Sequence, residues 1–77
     1  MIEEHDEVVL QTDLPQHGLA AGDVGTVVMV YQGGEGYSVE FMTLTGQTVA
    51  VVTLSAGQVR AIQPDEIAHA WQIAGVP

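Results

Sequence analysis

Three histidines, His5, His17 and His69, are the side chains best suited to hold a metal or move a proton near neutral pH. They fall in three separate segments, with no HxH or HExxH spacing that would aim two imidazoles at one ion. Each therefore reads as a surface or structural residue. His17 stands apart because it lies beside Gly18 in a long loop, a place where small barrels often bind. Glu3, Glu4, Asp6 and Glu7 could bind a divalent cation or a basic partner, but they lack the spacing and central glycine of a calcium loop. They read as a solvated, partly disordered arm. No cysteine is present, so neither a disulfide nor a thiolate site can form. No metal and no cofactor is expected.

Nucleophilic catalysis needs a hydroxyl beside a base that is itself oriented by an acid. Ser38 and Ser55 lack the G-x-S-x-G elbow, and Glu40 has no second carboxylate nearby in sequence for acid–base work. Gly33, Gly34 and Gly36 resemble a phosphate loop only superficially. No lysine or helix follows them, so they read as a flexible hairpin. The aromatics Tyr31, Tyr37, Phe41 and Trp71 are too few to line a proline-peptide groove. The expectation is a protein that is not an enzyme.

The charge balance narrows the partners. Ten acids stand against Arg60, the only Lys or Arg in 77 residues, for a net charge of −9. One arginine cannot displace the counterions of a nucleic acid, and the same sign repels anionic membranes. No run approaches the roughly 20 apolar residues of a membrane helix, and the acidic N-terminus is unlike a signal peptide. A cytoplasmic location is expected. The 47% hydrophobic content is high for so small a chain and points to apolar surface covered by another protein.

The elements that would carry these residues are strands. Residues 8–12 form a first strand, and a long irregular connection follows through Pro15, Gly18 and Gly22. Residues 24–31 are apolar on both faces except for Thr26, as in a central or covered strand. In residues 37–42, Tyr37, Val39 and Phe41 share one face and Ser38 and Glu40 the other. Residues 47–54 make a fourth strand, residues 55–58 a helical turn and residues 59–62 a fifth strand. This order predicts an all-β fold, a five-stranded SH3-like barrel over residues 1–63 whose sheet closes on itself.

Residues 64–77 are expected to form a short C-terminal amphipathic helix. Pro64, Asp65 and Glu66 suit a first turn, and Gly75 and Pro77 suit a stop. Ile67, Ala70, Trp71 and Ala74 fall on one stripe. So short a helix needs a surface to pack on. Two readings remain open: the stripe caps its own barrel, or it docks on another chain with Trp71 as anchor.

The blocks Leu14-Pro15-x-His17-Gly18-Leu19, Gly22-Asp23-Val24-Gly25-Thr26-Val27-Val28, Tyr37-x-Val39-Glu40-Phe41 and residues 54–62 resemble the bacterial family catalogued as domain of unknown function 4926. The resemblance covers residues 7–63 and implies a small SH3-like barrel with no catalytic residues to carry over. The functional expectation is a non-enzymatic protein-interaction module, with a basic protein as the partner that suits its charge. An acidic antitoxin-like or immunity-like protein is one form of it. The alternative is an accessory structural domain of an enzyme complex. His17, Leu19, Tyr31 and Trp71 are the candidate partner-binding residues. Self-association through residues 48–54, or through a swapped or docked tail, is a further route.

Overall fold

The computed structural model describes residues 1–74. Five strands follow in order: β1 (Glu7–Leu10), β2 (Val24–Tyr31), β3 (Gly36–Met42), β4 (Thr48–Ser55) and β5 (Val59–Ala61). Short 3-10 turns occupy Pro15–His17 and Ala56–Gln58. The strands form one antiparallel sheet in the order β4-β3-β2-β1-β5.

Alternation sorts the side chains onto two faces. Tyr37, Val39 and Phe41 lie on the inner face opposite Leu54, Val52 and Ala50. They join Val8, Leu10, Leu14, Leu19, Val27 and Val59 in the core. Gly25 is required by this packing. A β-carbon there would stand 2.5 Å from Val39 Cγ1 and 2.9 Å from Phe41 Cε1. At Gly22 the constraint is the backbone, whose φ of 100° turns the chain into β2.

Three expectations are corrected. The sheet does not close, because the three residues of β5 pair only with β1, and β4 and β5 remain its outer strands. The N-terminal arm is tied down. The His5 N–H donates to Val27 O and the Val27 N–H to Asp6 O, so His5 and Asp6 together oppose Val27. This is a β-bulge with His5, at φ 73°, in the left-handed position that glycine usually fills.

The C-terminal helix does not form in residues 64–74, while Gly75 and Pro77, read as its stop, lie outside the described residues. The alanine-interrupted stripe is too weak to offset the cost of nucleating a short helix. Glu66 is drawn instead to Arg60 and to the Gln63 N–H, and the chain then runs on without regular secondary structure until Ile73 packs against the core.

Candidate functional site

The outer face of the sheet holds the arrangement with the most binding character. β1 turns Val8 and Leu10 inward, so Val9 faces out, yet Val9 is only 5% exposed and lies apart from the main core. Register sets Arg60, Val9 and Val24 in one outward row. Two residues along, Glu7, Thr26, Glu40 and Val51 form the next. Met42 and Leu44 border these rows on one side, and Ile62 and Ile67 of the tail on the other. The result is an open groove of about 470 Å³ with an apolar floor. Ile67 is 93% exposed at its margin.

The charges of the groove are one-sided. Arg60 is fully engaged: its Nη1 and Nη2 donate to the two carboxylate oxygens of Glu66 at 2.9 and 2.6 Å. The guanidinium bonds first, and the Gln63 N–H after them, bring the Glu66 carboxyl down to about 2. The same carboxylate raises the Arg60 guanidinium further. Neither Glu7 nor Glu40 has a cation bonded to it among the described residues. Glu40 accepts one neutral bond, from Thr48 Oγ1 at 2.6 Å.

Of the residues expected to bind a partner, His17, Leu19 and Trp71 gather at the first loop, where the tail of the same chain crosses, and Tyr31 lies apart. His17 is exposed on the first 3-10 turn. Leu19 is 6% exposed and bridges back to Leu14, so it anchors the loop from beneath. Trp71 is half exposed and donates its indole N–H to Asp23 Oδ1 at 2.6 Å. Asp23 Oδ2 accepts from the Ala20 N–H, and Ile73 lies over Gly18. The tail thus crosses the first loop of its own chain, near His17. Tyr31 sits at the other end of β2. Its hydroxyl lies 2.7 Å from Ser38 Oγ, in a row that continues to Thr53. Among the described residues no group of three or more His, Asp or Glu could hold a metal ion.

Sequence reasoning did not bring Glu7, Val9, Val24, Arg60 and Glu66 together. Their grouping depends on register between strands distant in the chain. The available signal was Arg60 itself, a lone base with an acid six residues on.

A family model described as domain of unknown function (DUF4926) matches residues 4–61, more than half of the chain. The chain belongs to the DUF4926 family. No curated protein and no solved structure matches it. The DUF4926 match takes in the groove floor and Arg60 and stops at Ala61, so the wall formed by Ile62, Glu66 and Ile67 lies beyond it. No helix among the described residues is long and apolar enough to cross a membrane.

Proposed function

We propose that this DUF4926 chain is a non-enzymatic protein-interaction module on an SH3-like strand arrangement whose sheet stays open, and that its outer groove takes a basic, partly apolar segment of a protein partner. The order of five strands with a 3-10 turn immediately before β5 supports the SH3-like reading. One observation carries the functional reading: an apolar floor of Val9, Val24 and Met42 is flanked by the unopposed carboxylates of Glu7 and Glu40, while Glu66 occupies Arg60. Apolar residues of the partner would fill the floor, and its Lys or Arg side chains would meet the carboxylates. A net charge of −9 would steer such a partner in and repel nucleic acid and anionic membranes. Neutralisation of a basic protein, as by an antitoxin or immunity protein, is one biological form of this activity.

The test is capture from the cognate cell extract at low and high salt, beside a Glu7→Gln/Glu40→Gln variant. The expected result is one stoichiometric basic protein, lost at high salt and lost with the variant. A partner held equally by the variant, or at constant fixed ratio regardless of salt, would overturn the groove reading. The latter result would favour an accessory subunit of an enzyme complex.

A further inference from the structure

We propose that β4 is the surface through which two copies of this chain pair, edge to edge, into one continuous sheet. β4 is an outer strand of eight residues, long for an unprotected edge. Proteins usually guard such an edge with lysine, proline or a covering segment. Here Thr48-Val49-Ala50-Val51-Val52-Thr53-Leu54-Ser55 contains neither residue, and Val51 is 57% exposed.

The free hydrogen-bonding groups can be assigned. The Ala56 N–H donates to Glu35 O in line with the β3 ladder, whereas the Ser55 N–H turns away to Gln58 Oε1. Alternation then aims the N–H and C=O of Val51 and Thr53 at the open side. An antiparallel partner centred on Val51 would set Val51 against its own copy and Val49 against Thr53. Both strands would use the same groups, as a two-fold interface requires.

The absence of charge along this edge suits a second copy as the occupant. Two chains of −9 repel over most of their surfaces, but no charged residue stands between Glu40 and Arg60. β4 lies in the middle of that neutral run. The nearest acid in its outward row is Glu40, one strand inward. Across the paired sheet the two Glu40 positions would be three strand spacings apart, about 14 Å, beyond the Debye length of about 10 Å at 0.1 M salt.

Sedimentation of the full chain over a range of concentrations and salt tests the pairing. A dimer that strengthens with salt is expected, because screening weakens repulsion between copies; salt has the opposite effect on a basic partner in the groove. Val51→Lys, which places like charges across the axis, should weaken the dimer about tenfold or more with unchanged circular dichroism. With oxidised glutathione added as the electron acceptor, itself reduced to two thiols, the Val51→Cys chains should join through a symmetric disulfide, since opposed Cα atoms about 5.5 Å apart lie within its reach. A chain that stays monomeric at millimolar concentration and high salt would overturn the proposal. So would a dimer untouched by Val51→Lys, or Val51→Cys cross-linking no faster than a Thr45→Cys control.

Discussion

Trp71 and Asp23 are joined by a 2.6 Å hydrogen bond from the indole nitrogen to Oδ1, across 48 residues of sequence. This bond and the packing of Ile73 against the core hold the tail in place without regular secondary structure. Replacing Trp71 with Phe removes the donor and keeps most of the ring. The expected loss is about 0.5–1.5 kcal/mol. Amide exchange should rise in the tail and the Ala20–Asp23 turn and stay unchanged in β2 and β3.

Gly25 has no room for a methyl group. Gly25→Ala should cost about 1–3 kcal/mol in urea or thermal unfolding, because Val39 and Phe41 must move to admit the β-carbon. Gly57, with open space around its position, serves as the control: Gly57→Ala should cost far less.

His5 occupies a left-handed position that glycine adopts freely. His5→Gly is expected to raise stability by about 0.5–1 kcal/mol, since relief of strain exceeds the added entropy of the unfolded chain. His5→Ala should not stabilise, which separates backbone relief from loss of the imidazole.

The Arg60–Glu66 pair gives a pH dependence of known sign. The Glu66 carboxyl lies at about 2 when folded, below its ordinary value of 4.5. Its contribution is therefore complete above pH 4.5 and fades as pH falls toward 2. The stability difference between the native chain and Glu66→Gln should shrink across that window. Because the comparison is between two otherwise identical acidic chains, the protonation of the other carboxylates largely cancels. A difference that stays constant from pH 6 to pH 2 would mean the pair does not form in solution.

The strands were legible because local rules govern them. Alternation at Tyr37, Val39 and Phe41, and the Gly22-Asp23 turn, each act within a few residues. Closure of the sheet was not legible, since it depends on how far β5 extends beside β4. The tail misled for a related reason: helical spacing of Ile67, Ala70 and Trp71 states what a helix would bury, without stating what competes with it. Asp23 and Gly18, far away in sequence, supply that competition. The groove is hidden in the same way, because Glu7, Glu40 and Arg60 become neighbours only through pairing across three ladders.

The family match ends at Ala61, while Ile62, Glu66 and Ile67 wall the groove. The floor and the carboxylates of the proposed groove thus lie inside the family match and its wall outside it, whereas Trp71 and Ile73 fasten the same tail to the first loop and the core. Exchanging only Ile62–Ile67 would alter the wall and keep that fastening, so the short wall segment and the anchored end of the tail can be varied independently.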